Sequence, residues 1–204
     1  MTTAQEALER LREGNQRFTS GVRSVETLAS PMRLAELAEG QQPFAIIVGC
    51  SDSRVPVETV FDQGLGDLFV VRVAGNIVMP SQLASVEFAV EMFGSRLVVV
   101  LGHSSCGAIK ATIDQLRAPG EYPSEALKTL IEHIEPGIRP LLDSEHAADP
   151  DMLIHQSMRA NVQSAVDHLR QDSPILTRHA VQSGLQIVGA EYSLETGKVT
   201  FLDV

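Results

Sequence analysis

Residues 44–54 read FAIIVGCSDSR, and the fold turns on how that stretch is read. FAIIV is a short, unbroken apolar run with no polar face. Such a run fits a strand covered on both sides, as strands of a parallel sheet are. Gly49 closes the run, and Cys50, Asp52 and Arg54 follow at once. Residues 97–107, LVVVLGHSSCG, repeat the arrangement: an apolar run, a glycine, then a polar cluster holding His103 and Cys106. LFVVRVA at 68–74 is a further run of the same kind. Ahead of LVVVL lies SQLASVEFAVEMFG, a helix with Leu83, Val86, Val90 and Phe93 near one face, Ser81 as its cap and Gly94 as its stop. Strand, helix, strand in this order calls for right-handed crossovers and an α/β sheet.

Working outward, residues 4–18 carry helical spacing at Ala4, Ala7, Leu8, Leu11 and Phe18, with Gly14 expected to interrupt or end that helix. A second helix is expected over Pro31–Ala38, with Ser30 as N-cap, Pro31 at its first position and Gly40 as its stop. Downstream, GAIKATIDQLRAPG reads as a helix ending near Ala118, and PSEALKTLIEHIEPGI as another. A long amphipathic helix follows, capped by Asp149 before Pro150, then a short one from Ser173-Pro174 to Gly184. DSEHAADP, between the second and third of these, reads as a loop. LQIVGAEYSLETGKVTFLDV is a strand, a Glu-Thr-Gly turn and a last strand. The expected fold class is α/β: a mainly parallel central β-sheet flanked by helices, with an N-terminal helical arm and a C-terminal edge hairpin. One domain is expected over 1–204, divided into an arm (1–40), packing against another subunit, and a core (41–204).

A chain of 204 residues suits one domain and is too short for two comfortable ones. Its net charge of −10 disfavours a nucleic-acid surface, which needs basic patches, and disfavours anionic lipid. No apolar run approaches the ~20 residues of a membrane span. The opening MTTAQEALERLREGNQRF has neither the basic nor the apolar region of a signal peptide, so the expected compartment is the cytoplasm. Trp is absent, so the core must be mainly aliphatic.

In open α/β sheets chemistry gathers outside the carboxyl ends of the strands. If the strands ahead of Cys50 and His103 lie side by side, both residues project from one edge, and Cys106 joins them at the entrance to the next helix. Two thiolates and an imidazole suit Zn²⁺, and three protein ligands leave one position open, as catalytic zinc sites do. The helix beginning near Gly107 turns its positive end toward the thiolates. Arg54 can hold Asp52 bidentately and keep it ionised. Two jobs are then open to Asp52: accepting a hydrogen bond from a zinc-bound hydroxide, or closing the site as a fourth ligand. Taken alone, the cysteines read as buried thiols and Asp52–Arg54 as a surface salt bridge. The joint pattern is what favours function.

CSDSR together with GHSSCG resembles the β-class carbonic anhydrases, and the resemblance runs from EGNQRF through GHSSCGAIKA. It implies zinc-dependent reversible hydration of carbon dioxide to bicarbonate and a proton, by attack of zinc-bound hydroxide. It implies Cys50, His103 and Cys106 as ligands of one Zn²⁺ per subunit, with Asp52 and Arg54 as the catalytic dyad. By the same resemblance Gln41 hydrogen-bonds bicarbonate, Phe69, Phe88 and Ala74 wall the CO₂ cleft, and the Gly107 amide contacts the anion. The cleft is expected at a dimer interface, in a homodimer or homotetramer. Phe88 stands where many members carry tyrosine, and Ala74 where some carry valine. Rival readings are hydrolysis of CS₂ or COS on the same site, a zinc module without turnover, and a redox pair of cysteines. The last leaves His103, Asp52 and Arg54 without a role. His133, His146, His155, His168 and His179 read as ordinary solvated or satisfied histidines.

Overall fold

The computed structural model describes residues 2–24 and 30–202. Residues 25–29 of the expected arm and 203–204 of the expected last strand lie outside the described residues. Five strands form one sheet in the order β2-β1-β3-β4-β5: β1 Ala45–Gly49, β2 Leu68–Arg72, β3 Leu97–His103, β4 Gln186–Tyr192 and β5 Val199–Leu202. The first four run parallel, and β5 returns antiparallel along β4 to make the edge hairpin. This is the mainly parallel α/β sheet flanked by helices that the sequence predicts.

β1 and β3 are buried along their whole length because helices cover both faces. Alternation sorts their side chains. Ile46, Val48, Val98 and Val100 face one core, shared with α4 (Pro80–Phe93), α5 (Gly107–Arg117), α6 (Glu125–Ile138), α7 (Pro150–Gln171) and α8 (Pro174–Ser183). Ala45, Ile47, Leu97, Val99 and Leu101 face the other, shared with α1 (Ala4–Thr19) and the short α3 (Val57–Val60). Period-two alternation thus serves two cores, which is why neither strand has a polar face.

Three local expectations differ from the structure. Gly14 neither ends nor interrupts α1, which runs through it to Thr19. Its role is close approach: a Cβ there would lie 1.8 Å from the Phe61 carbonyl oxygen, so only glycine lets the helix settle on the loop after α3. Ser81 does not cap α4. Pro80 takes the first helical position and Met79 the cap position, with no side-chain cap bond, while Ser81 sits in the first turn and meets Gln82. Gly94 does end α4, in the left-handed region at φ 66°. The stretch 143–150 is not plain loop but contains a 3₁₀ turn over Glu145–Ala148.

The arm divides in two. α1 buries Ala4, Ala7, Leu8 and Leu11 against this chain's own sheet, so it packs with the core across the expected boundary at residue 40. Arg17, Arg23 and the Ser24 amide converge on Asp62, whose side chain is fully buried. Burial alone would raise the Asp62 pKa, but the bonds from Arg17, the Ser24 amide and Arg23 outweigh it and hold the carboxyl below its usual range. By contrast, α2 (Pro31–Ala38), capped by Ser30 as expected, buries no residue and leaves Met32 and Leu34 exposed. Among the described residues, no helix is long and apolar enough to cross a membrane.

Candidate metal centre

β1 and β3 are neighbours, and their carboxyl ends bring Cys50 and His103 together. His103 is the last residue of β3 rather than a loop residue beyond it. Cys106 takes the N-cap position of α5. Between them Ser105 adopts φ 56°, a left-handed turn that L-residues rarely hold and that bends the chain back toward Cys50. The sulfurs of Cys50 and Cys106 and a ring nitrogen of His103 all lie within 4.8 Å of one another, and all three residues are buried.

The chemistry of this donor set fits a metal. His103 Nδ1 lies 2.9 Å from the Ser104 carbonyl, which can only accept, so the proton belongs on Nδ1 and the lone pair on Nε2. Nε2 is buried without a hydrogen-bond partner. An imidazole nitrogen fully withdrawn from water and left unpaired costs free energy unless something takes its lone pair. The two thiols are linked: the contact with Cys106 is the main cause that pulls the Cys50 thiol down, and the Gly75 amide adds to it. The same contact, together with burial, pushes Cys106 up.

Asp52 and Arg54 form the expected pair. Arg54 Nε donates to Asp52 Oδ1 at 2.9 Å, Nη2 donates to Oδ2 at 2.7 Å, and the Arg54 amide donates to Oδ1 at 2.9 Å. This grip is the main reason the Asp52 carboxyl sits well below the usual carboxylate range. Asp52 Oδ2 is 3.9 Å from His103 Nε2. The carboxylate therefore stands beside the cluster without joining its three mutually close donors.

Ala74 and Gly107 also lie at this end of the sheet: Ala74 opens the 3₁₀ turn Ala74–Asn76, and Gly107 follows Cys106. Gln41, Phe69 and Phe88 do not. Gln41 precedes β1 and lines a cavity of about 330 Å³ with Phe44, Phe93 and Ser95, at the amino ends of the strands. Phe69 pairs in register with Ile46, near the start of β1. Phe88, half exposed on α4, stacks toward Phe69 and Phe93 at centroid separations of 6.4 and 5.8 Å. Four residue steps, about 13 Å, separate Ile46, the register partner of Phe69, from Cys50. Within one chain the expected site is thus in two parts at opposite ends of the sheet.

Sequence reasoning missed the residues that hold the cluster's backbone. Arg72 Nε donates to the Cys50 carbonyl at 2.9 Å and Nη2 to the Asp52 carbonyl at 2.6 Å, clamping the loop from the next strand. Gly75 N–H points at Cys50 Sγ at 3.3 Å. The signal for the second was present: Gly75-Asn76 is a dipeptide suited to positive φ, and both residues adopt it, at 72° and 44°. Four of the remaining histidines pair with nearby groups. His155 meets Glu191, His168 meets Asp172, His133 meets the Thr129 carbonyl, and His179 meets Ser183 and Glu91.

The sequence and the fold both have known counterparts. The family model described as carbonic anhydrase matches residues 45–199. Carbonic anhydrase 2 of Mycobacterium tuberculosis is 37% identical over 197 residues, covering 97% of this chain and 92% of the relative. The carbonic anhydrase of Mycolicibacterium smegmatis is 37% identical over 193 residues, covering 95% and 90%. The chain belongs to the carbonic anhydrase family, enzymes whose general reaction is the hydration of carbon dioxide. Its class is β. The solved β-carbonic anhydrase CcaA superposes with a TM-score of 0.75 at 29% identity, covering 96% of this chain and 95% of that one. One of two β-carbonic anhydrases from Sordaria macrospora, both described as tetrameric, gives 0.76 at 26%, covering 86% and 88%.

Proposed function

We propose that this carbonic anhydrase interconverts carbon dioxide and bicarbonate with one zinc ion per subunit, held by Cys50, His103 and Cys106. The observation that carries the reading is His103 Nε2, buried and unpaired between two buried thiols. Thiolate and imidazole donors in a set of three suit zinc with one position left for solvent. When bound, zinc supplies the Lewis acidity that makes water a nucleophile near neutral pH.

The chain's own groups do the rest. Asp52, held ionised by Arg54, offers an acceptor to the attacking water's hydrogen and so aims its lone pair at carbon. Because Arg54 satisfies the carboxylate, Asp52 stays off the metal, which supports a working site over a metal that only staples the fold. The amino end of α5 favours the bicarbonate anion. Ala74 leaves space for carbon dioxide without offering it a polar partner. Gln41, Phe69 and Phe88 reach the cluster from a second copy of the chain, which completes the cleft. Self-association is supported by the tetrameric relatives and by the exposed Phe88 and Met92 on α4.

Two experiments test this. Elemental analysis beside stopped-flow assays on the same sample should show about one zinc per chain and rapid CO₂ hydration. A protein that binds no divalent ion, or that consumes CS₂ and ignores CO₂, sinks the reading. The shared cleft is tested by co-expressing Cys106→Ser and Gln41→Ala chains with different tags. In a mixed two-fold dimer one cleft carries both changes and the other neither. Activity should return to the purified mixed dimer, toward half that of the unaltered dimer. No recovery means each chain builds its cleft alone.

A further inference from the structure

We propose that Asn161 is a positioning residue for the metal centre: from α7 it pins Gly75 so that the Gly75 amide stays aimed at the Cys50 sulfur. The inference rests on the reading that Cys50, His103 and Cys106 hold a divalent ion.

Asn161 sits mid-helix on the buried face of α7, among Met158, Val162 and Ala165, and is 3% exposed. An amide there needs a partner, because a buried unpaired one costs about 1–3 kcal/mol. Its partner is the Gly75 carbonyl, which accepts from Asn161 Nδ2 at 2.7 Å. Gly75 is therefore held from both sides, its carbonyl by Asn161 and its amide against Cys50 Sγ at 3.3 Å.

Gly75 needs such a hold. It adopts φ 72° and ψ 16°. The left-handed φ favours glycine, and a Cβ here would also crowd Ile134 Cδ1 at 2.8 Å and Ala108 Cβ at 3.1 Å. Glycine brings no side chain to fix its own peptide orientation. Without the Asn161 bond, the buried Gly75 carbonyl would be orphaned, and the turn could rotate to pair it elsewhere. The amide would then leave the sulfur. An N–H donated to a ligating thiolate spreads its charge and fixes its direction, and groups of this kind typically carry 10–100-fold in metal affinity.

The test compares Asn161→Ala with Ser157→Ala. Ser157 is one helical turn earlier on α7, equally buried, and its hydroxyl has no hydrogen-bond partner among the described residues. Each protein is loaded with zinc and challenged with a chelator, and each is separately loaded with cobalt for its visible and sulfur-to-metal charge-transfer spectrum. N161A should release zinc roughly 10-fold faster than wild type and shift the charge-transfer band. S157A should match wild type in both. If N161A fails to fold, Asn161→Leu, of similar size but without a donor, is read the same way. Wild-type release and spectrum in N161A overturn the inference while leaving the metal centre standing, and so do equal changes in N161A and S157A. A wild-type protein that takes up neither ion overturns the metal reading, and this inference with it.

Discussion

Cys106→Ser is expected to strip the protein of metal and to lower CO₂ hydration by at least about 10³-fold, some 4 kcal/mol of barrier. Serine keeps the shape but not the ligand, since its hydroxyl holds its proton where a thiol bound to a soft cation gives it up. Nothing nearby can substitute. Among the described residues the cluster holds three mutually close donors, and the adjacent carboxylate is already committed to Arg54. The measurement is metal content and initial hydration rate on one preparation, with circular dichroism to show that the sheet persists. Full activity with bound metal would refute the ligand assignment.

The second large effect is expected at Asp52. Asp52→Asn should keep the metal and lose roughly 10²–10³-fold in kcat, the usual scale for a positioned proton acceptor. The replacement is isosteric, but it puts an amide where a carboxylate accepted, and it deprives Arg54 of a charge partner. The loss should not come from instability. The Arg54 side chain is 54% exposed, and exposed ion pairs contribute little, about 0–1 kcal/mol. Metal content and Tm near wild type beside a collapsed kcat would separate catalysis from folding. Normal hydration by D52N would make Asp52 a structural residue.

Much of this molecule was legible in the sequence because its strands are short, apolar and closed by glycine. FAIIV and LVVVL announce covered strands and occur as the buried β1 and β3, while LFVVR occurs as β2, an edge strand that is only partly buried. The cluster was legible because its residues follow those strands directly, so strand adjacency alone brings Cys50 and His103 together. Punctuation by proline and glycine was read well at Pro31, Pro150, Pro174 and Gly94. It failed at Gly14, where glycine signals the approach of a carbonyl from 47 residues further along the chain rather than a break. Contacts of that range leave no local trace. The same holds for Arg72, which acts on backbone groups far away in sequence. Asn161 left one faint sign, a polar residue on the apolar stripe of α7. The separation of Gln41, Phe69 and Phe88 from the cluster needed the strand direction in space.

His103 and Cys50 hang from β3 and β1, and each of those strands has a hydrogen-bonded neighbour on both sides. Interior strands are the last to exchange their amide hydrogens, since opening them approaches global unfolding in cost. Two of the three donors are thus fixed by the most slowly exchanging part of the molecule, whether or not an ion is present. An arriving cation would meet a socket already shaped, with only the short Ser104–Ser105 corner left to adjust. That is the opposite of a zinc finger, where the ion itself folds the chain.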